Sequence, residues 1–318
     1  MFKYVLKRIG LMLLTFSVIM FTCFVLIKLL PIPLSEGLGT DTKLLQAQLE
    51  ARGYYDPIMV QMWNYVVRIV TKGDFGIGTN MPGYAGVPIW EAFVSRLPPT
   101  VLINVYSSLV GVPIGLGLGI LAALKKNKWQ DQVISTGVIA MIAIPSVVYA
   151  FLIQYVLCFK LGWFPLRMAN GTDYFSSEMF RSMIPAVISL ALGSIAGYAR
   201  YTRAELTEVL TSEYMLLART KGLTRGQATV RHAMRNAMVP IFPMILGEFV
   251  SVLSGSMIIE SVFDIPGVGG LYLKSITVLD YDFFMLLSGF YTLIGLAAGI
   301  IIDISYGFID PRIRMGAK

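Results

Sequence analysis

Six long apolar runs dominate this chain and leave it few ways to fold. Each is close to the roughly 20 residues that an α-helix needs to cross a bilayer. The runs cover residues 9–27, 97–124, 133–159, 183–199, 239–262 and 283–302. The 318-residue chain is 56% hydrophobic and 14% charged, whereas soluble domains usually carry about 25% charge. We therefore predict an all-α membrane protein with six transmembrane helices.

The first run is predicted to be an uncleaved span within residues 1–30. A cleaved signal peptide is the alternative, but its apolar region would be only about 7–15 residues long and a small-residue cleavage site would follow it. Here the run is followed by Lys28 and, three residues on, by Pro31-Ile32-Pro33. This pattern favours a span that stays in the membrane.

Residues 31–96 are predicted to form an outer segment with two helices. Asp41 begins a helix that ends near Gly53. Asp56-Pro57 begins the second, because proline suits the first helical position, and Gly73-Asp74 ends it. Its apolar residues are predicted to share one face: Ile58, Met59, Met62, Tyr65, Val66, Ile69 and Val70. This helix is either an amphipathic surface layer or an element that only packs against the spans.

Small residues and prolines predict how two of the spans are built. Gly111, Gly115 and Gly119 recur every four residues and place a small-residue stripe on one helix face, which lets helices approach closely in lipid. In the third run, Pro145-Ser146 predicts a kink within one span.

Residues 204–236 form a basic segment between two apolar runs. It predicts one helix over 204–219, ended by Gly222, since glycine tolerates the left-handed geometry of a helix C-terminus. Thr224 and Gln227 have the spacing of a capping box and begin a second helix that reaches about Asn236. The residues predicted to pack this segment are Leu206, Val209, Leu210, Met215 and Leu217. We interpret it as a docking element for a protein partner.

Basic residues predict the orientation, because cytoplasmic loops carry an excess of lysine and arginine. They concentrate at the N-terminus, after the second run, between the fourth and fifth runs, and in the tail. Both termini are therefore predicted to be cytoplasmic. The predicted organisation is an N-terminal span (1–30), an extracellular or periplasmic segment (31–96), a five-helix core (97–310) that carries the cytoplasmic helices at 204–236, and a cytoplasmic tail (311–318).

The sequence gives little sign of chemistry of its own. It has one histidine, His232, and two cysteines, Cys23 and Cys158, inside apolar runs, so no metal or disulfide motif is present. It contains no GxxxxGK[ST] phosphate loop. The cations are spread between apolar runs, which argues against nucleic acid. We predict no cofactor, no metal and no catalytic residues.

The basic segment resembles the permease subunits of ABC importers, and more narrowly the first of the two paralogous permeases of the oligopeptide/dipeptide/nickel family. The family pattern E-Y-x3-A-R-x-K-G-L, then R-H-x3-N-x3-P, occurs over residues 213–240. Further matches are Arg96-Leu97-Pro98-Pro99-Thr100, Pro145-Ser146, Leu161-Gly162-Trp163, Arg200, Thr202-Arg203, Glu260, Pro266-Gly267, Gly269 and Asp310-Pro311-Arg312. The chain departs from the general Glu-Ala-Ala motif of these importers, having Leu216-Leu217-Ala218.

The resemblance implies a type I importer (MetI-like) permease fold in the bacterial inner membrane. It implies a heterodimer with a paralogous permease, two ATPase subunits, and an extracellular or periplasmic peptide-binding protein, for uptake of oligopeptides or dipeptides. The residues that it implies for ATPase coupling are Glu213, Tyr214, Ala218, Arg219, Lys221, Gly222, Leu223, Arg231, His232 and Asn236. The candidates for the translocation pathway are Glu248, Glu260 and Pro145.

Several alternatives stay open at this point. Glu248 either meets the amino end of a peptide or pairs with a residue of the other permease, because an acid inside a span is costly and usually faces a cavity or a partner. Glu260 and Asp303 lie near span ends, which favours a solvated or hinge role, and His232 is favoured as a packing or capping residue over a switch. Nickel or another small solute is the alternative cargo. A stand-alone secondary transporter and a membrane enzyme are weaker alternatives.

Overall fold

The computed structural model describes residues 2–30, 50–51 and 53–309. Within them the chain is helical, and the one β-bridge pairs Ile77 with Pro88. In chain order the helices are α1 (Phe2–Lys28), α2 (Ile58–Lys72), α3 (Ile89–Leu124), α4 (Trp129–Ala143), α5 (Ser146–Ile153), α6 (Ser177–Leu210), α7 (Glu213–Thr220), α8 (Arg225–Ala228), α9 (Met234–Ser251), α10 (Met257–Val262), α11 (Val268–Thr277) and α12 (Tyr281–Ile309). Most of the predicted helix between Asp41 and Gly53, and the tail 311–318, lie outside the described residues.

Five helical segments of the described chain are long and apolar enough to cross a membrane. They are Val5–Lys28, Ile89–Leu124, Ser177–Leu210, Gly226–Ser254 and Tyr281–Tyr306. A sixth candidate is the pair Trp129–Ala143 and Ser146–Lys160, bent by 101°. The second segment begins at Ile89 and not at residue 97 as predicted, so Pro98 and Pro99 lie inside α3. Prolines are tolerated in membrane helices where neighbouring groups satisfy the freed carbonyls.

The break at Pro145 is much sharper than the predicted kink. Ile144 and Pro145 both leave the helical region, with ψ of 125° and 139°. Proline lacks an N–H and pushes the residue before it towards extended geometry. Two successive extended residues turn the chain, so the third predicted span consists of two helices that meet at 101°.

Two further predicted helices are interrupted. The predicted helix over 204–219 breaks after α6, where the Thr211 hydroxyl donates to the carbonyls of Thr207 and Glu208. Such side-chain bonds offer the backbone an alternative to continued helix. The predicted fifth span, 239–262, stops at Ser254, because Gly255 takes a left-handed φ of 66°. The separate helix α10 follows.

The chain divides into two compact units, each made of two stretches. Unit 1 comprises Met1–Leu97 and Val268–Leu296, and unit 2 comprises Pro98–Gly267 and Ala297–Lys318.

In unit 1 a buried carboxylate fixes a loop: Oδ2 of Asp280 accepts hydrogen bonds from the backbone N–H groups of residues 79–81 at 2.8–3.0 Å. A core that includes Phe93 and Phe283 packs beside it.

Helix α2 of unit 1 begins and ends as predicted. It starts directly after Pro57 and ends at Gly73, whose φ of 62° is left-handed. At about 100° per residue, the seven apolar residues predicted to share one face fall within an arc of about 140°. The environment changes along that arc, because Ile58 and Met62 pack against α1, whereas Met59 and Val70 are exposed.

In unit 2 the predicted glycine stripe brings α3 and α6 together. A Cβ built on Gly115 would lie 2.9 Å from the carbonyl oxygen of Ile195, and one built on Gly119 would lie 2.7 Å from that of Ala199. Real Cβ atoms do not come this close to backbone oxygens, so the glycines permit an approach that no other residue allows.

We predict that Gly119→Ala destabilises the protein. Its Cβ would lie 2.5 Å from Cβ of Thr202, so α3 and α6 would have to separate at a cost of about 1–3 kcal/mol, typical of overpacking. The thermal unfolding midpoint of the purified transporter would measure the loss. Gly117→Ala is the matched control, since its Cβ would meet nothing within 4 Å. Equal destabilisation by both variants would contradict the close approach.

Candidate functional site

The basic segment folds into a compact pair of short helices, here called the knob (residues 213–233). Gly222 takes a left-handed φ of 89° after α7, as predicted. The predicted capping box is also confirmed: the Gln227 N–H donates to Oγ1 of Thr224 at 3.3 Å, and the Thr224 N–H donates to Oε1 of Gln227 at 3.1 Å. The chain then passes through a π-helical stretch, Thr229–Ala233, directly into α9.

The interior of the knob is built from small side chains. Met215 and Ala218 of α7 pack with Ala228 and Ala233 and with Leu206 of α6. All five are less than a tenth exposed. Alanine side chains let short helices approach closely. The knob is therefore a packed pair of helices at the end of α6 and not an extended loop.

The structure places most of the predicted coupling residues on the outside of the knob and the first turn of α9. The exposed ones are Glu213, Tyr214, Arg219, Lys221, Gly222, Arg231 and Asn236. Ala218 is buried, and Leu223 and His232 are partly buried. The exposed surface is therefore mainly cationic, with Glu213 at its start.

Tyr214 and His232 are brought together although 18 positions separate them. The Tyr214 hydroxyl and Nδ1 of His232 are 2.9 Å apart, and the two rings meet edge to face at 5.6 Å. This contact ties α7 to the π-helical stretch, as the favoured packing role of His232 requires.

Sequence reasoning missed an apolar part of the knob surface. Leu217 was predicted to pack but is 53% exposed, and Leu216 and Val230 are 63% and 71% exposed. Met215 and Ala218, three positions apart, occupy the buried face of α7, so the residues between them must point outwards. The three-residue spacing of Met215 and Ala218 is the sequence signal that indicates the exposure of the residues between them. A groove of about 500 Å³ runs alongside, between residues 210–213 and Arg219.

A buried ion pair fixes the helix that carries the knob. The Arg203 guanidinium of α6 donates two hydrogen bonds to the Asp131 carboxylate of α4, from Nε and from Nη2, the latter at 2.9 Å. The Ser135 hydroxyl and the Asn127 N–H donate to the same carboxylate. Asp131 is 3% exposed, and these donors satisfy both of its oxygens.

Glu248 lies in α9 among hydroxyl groups from two other helices. Its Oε1 accepts hydrogen bonds from Ser108 of α3 at 3.1 Å and from Ser194 of α6 at 2.8 Å. The Tyr198 hydroxyl interacts with the same carboxylate. No ion pair to Glu248 occurs within the described part of the chain, so its charge meets only neutral donors there.

Glu260 is buried, and the alternative that it is solvated is wrong. It is 3% exposed, and its Oε1 accepts a hydrogen bond from the Thr100 hydroxyl at 2.9 Å. Cβ atoms built on Gly255 and Gly267 would lie 2.4 and 2.3 Å from its carboxylate oxygens. Two other matched motifs, those of Thr100 and Gly267, thus meet the carboxylate of Glu260. Pro145, the third pathway candidate, is exposed at the sharp bend before α5.

We predict that Thr100→Val weakens folding by about 1–3 kcal/mol, because the buried Glu260 carboxylate loses a donor. Thr100→Ser retains the hydroxyl and serves as the control. Thermal unfolding of the purified protein compares the two. If the serine variant is as unstable as the valine variant, packing and not the hydrogen bond holds this site together.

Known membrane transport proteins are similar in sequence to this chain. The sequence profile of the family described as "Binding-protein-dependent transport system inner membrane component" matches residues 115–315. The glutathione transport system permease protein GsiC of Salmonella choleraesuis (strain SC-B67) is 30% identical over 319 residues, which cover 99% of both chains. The GsiC protein of Escherichia coli (strain K12) is 29% identical over 317 residues, with the same coverage.

Two solved structures share the fold. A chain of an amino acid ABC transporter crystallised with histidines matches with a TM-score of 0.53 and 21% identity, over 68% of this chain and 92% of that chain. A chain of the MetNI methionine ABC transporter, in an inward-facing conformation, matches with a TM-score of 0.51 and 17% identity, over 68% and 97%. At these identities the likeness is one of fold.

Proposed function

Because the chain belongs to the family of binding-protein-dependent transport system inner membrane components, and is thus a permease subunit of an ABC importer, we propose that its cargo is a peptide. The predicted all-α permease fold is confirmed. GsiC, similar over almost the whole length, is named for the transport of glutathione, which is itself a small peptide. The chain would form the pathway with a paralogous permease and receive cargo from an extracellular or periplasmic binding protein.

The observation that carries the proposed mechanism is the exposed, basic knob on the end of α6. The sequence has no phosphate loop, so ATP would be bound by two partner ATPases. The knob would dock in a cleft of one ATPase, with Arg219 and Arg231 facing acidic groups and with Leu216 and Leu217 filling apolar space. Its alanine interior and the Asp131–Arg203 pair would transmit movement of the ATPase to α6 as a rigid body.

We assign the knob and both termini to the cytoplasmic side. Support comes from the cations that the described part of the chain exposes near the knob and after α3, among them Arg219, Lys221, Lys125 and Lys126. Cytoplasmic loops carry such an excess. The segment before α3 would then lie on the opposite side, where the binding protein docks.

Glu248 is the residue that we propose to face the pathway. Its carboxylate is held by serine and tyrosine hydroxyls and pairs with no cation of the described chain. Glu248 is partly buried, and a charge within a membrane span is costly unless it faces a cavity or a partner, so an incoming ammonium group would be favoured. Peptides carry one at their amino terminus. Glu260 lies in the short helix α10 and Pro145 at the break before α5, so we propose that they position the spans and do not contact the cargo.

The first test is the composition of the purified assembly. We expect this chain, expressed with its partners, to retain a second permease and two ATPases. Arg219→Glu combined with Arg231→Glu should reduce the recovered ATPase at least tenfold, because repulsion replaces attraction at the docking surface, and should leave the second permease bound. Lys125→Glu combined with Lys126→Glu makes the same charge change on another exposed loop and is the control.

Two results would contradict the proposed assembly. If the charge-reversed knob still binds both ATPases, the knob is not the docking surface. If the chain purifies alone and moves peptides in liposomes without ATP, it is a secondary transporter.

We predict that Glu248→Gln lowers peptide uptake at least tenfold without reducing assembly. The amide keeps an oxygen that the serine hydroxyls can donate to but removes the charge that would attract an ammonium group. Uptake of labelled peptide by proteoliposomes containing the whole transporter is the measurement. Ser194→Ala, which removes a donor but keeps the charge, is the control and should reduce uptake less. Wild-type uptake by the glutamine variant would remove Glu248 from the pathway.

A further inference from the structure

Helix α2 carries an exposed apolar face that the proposed function does not use. At about 100° per residue, Met59, Trp63, Val66 and Val70 fall within a stripe about 60° wide. We call these four residues the α2 stripe. Their exposed fractions run from 43% for Val66 to 78% for Val70. A contiguous patch of exposed large apolar side chains marks a surface that contacts a partner or a membrane.

The other two faces of α2 are occupied. Ile58, Met62 and Tyr65 pack against Phe24 and Ile27 in the last turns of α1. The Phe24 and Tyr65 rings lie 5.8 Å apart. The α2 stripe is therefore not a core face that has been left open, because the core face lies on another side of the same helix.

The polar face of α2 lines a cavity of about 480 Å³ in unit 1. Gln61, Asn64 and Arg68 project into it, and Nη2 of Arg68 lies 3.4 Å from Oδ1 of Asp282. Nε2 of Gln61 donates to the carbonyl oxygens of Tyr54 and Asp56, so this face has polar partners within the protein. The α2 stripe, which has no polar side chain, is the face for which an aqueous surrounding is unfavourable.

The neighbours of α2 indicate its depth relative to a membrane. The span within α1 ends at Lys28, whose ammonium group lies 3.8 Å from the ring centroid of Tyr54 and 5.0 Å from that of Tyr281. Lysine and tyrosine at the end of a span are typical of the boundary between bilayer and water. Because α2 packs on the last turns of α1, it lies at this boundary.

The composition of α2 fits a lipid surface. It contains no acidic residue, its two cations are Arg68 and Lys72, and a tryptophan lies within the stripe. Helices that lie in the membrane interface combine such a tryptophan-containing apolar face with basic residues on the polar face. In an apolar 18-residue window of the adjoining α1 span only 6% of the residues are buried, so that span is also largely open to its surroundings.

We propose that α2 is an interfacial membrane anchor, with the α2 stripe seated among lipid headgroups and acyl chains beside the end of α1. The anchor would hold the segment between the first and second spans against the bilayer. The hydrophobic contact is provided by the stripe and is supplemented by attraction of Arg68 and Lys72 to anionic headgroups.

A spin-label experiment on the assembled transporter tests this inference. Cys23 and Cys158 are first replaced by alanine, and single cysteines are introduced by Val70→Cys and by Met59→Cys. Thr71→Cys, next to Val70 but on the polar face, is the matched control. Each labelled protein is placed in nanodiscs of phosphatidylethanolamine and phosphatidylglycerol. Collision rates with oxygen, which enters lipid, are compared with those of a water-soluble nickel chelate.

At both stripe positions we expect oxygen to collide several-fold more often than the nickel chelate, and at Thr71 the reverse. Two results would overturn the proposal. Free access of the nickel chelate to Val70 and Met59 would show that the stripe lies in water. Low collision rates with both reagents, rising when the binding protein is removed, would show that a protein surface covers it. Neither result depends on the cargo or on the knob.

Discussion

Helices inside a bilayer gain little from burying apolar surface, because lipid is as apolar as leucine. Close approach and a few polar contacts must therefore hold them together. In unit 2 the approach comes from the glycine stripe of α3 against α6. The polar contacts are three carboxylates, Asp131, Glu248 and Glu260, each held by donors from another helix. The placement of the knob depends on these contacts, because α6 takes part in two of the three and carries the knob at its end.

These carboxylates differ in how completely the protein satisfies them. Asp131 has a guanidinium, a hydroxyl and a backbone N–H, which suits a permanent connection between α4 and α6. Glu260 is enclosed by Thr100 and two glycines. Glu248 has only neutral donors among the described residues. A carboxylate that has hydroxyl donors but no cation beside it is suited to an intermittent cationic partner, which is why we place Glu248 on the pathway.

Much of this architecture could be predicted from local sequence. The spans follow from length and apolarity, and the ends of α2 and the capping box of the knob follow from single residues. The helix ends and the capping box depend on neighbours within about one helical turn. Pro145 likewise predicts a bend, because proline disturbs the backbone of its immediate neighbours. The angle of 101° could not be predicted, because it depends on two consecutive backbone torsions and on what the following helix packs against.

Local rules determine where helices begin and end and how many could cross a membrane, because backbone hydrogen bonding in lipid permits few other structures. Tertiary packing decided which side chains are buried. Glu260 is enclosed because Thr100, which lies 160 positions away in sequence, donates a hydrogen bond to it. Leu217 is exposed because Met215 and Ala218 already fill the space beneath α7. Spacing along one helix shows which side chains share a face, but which face is buried depends on the elements that pack against it.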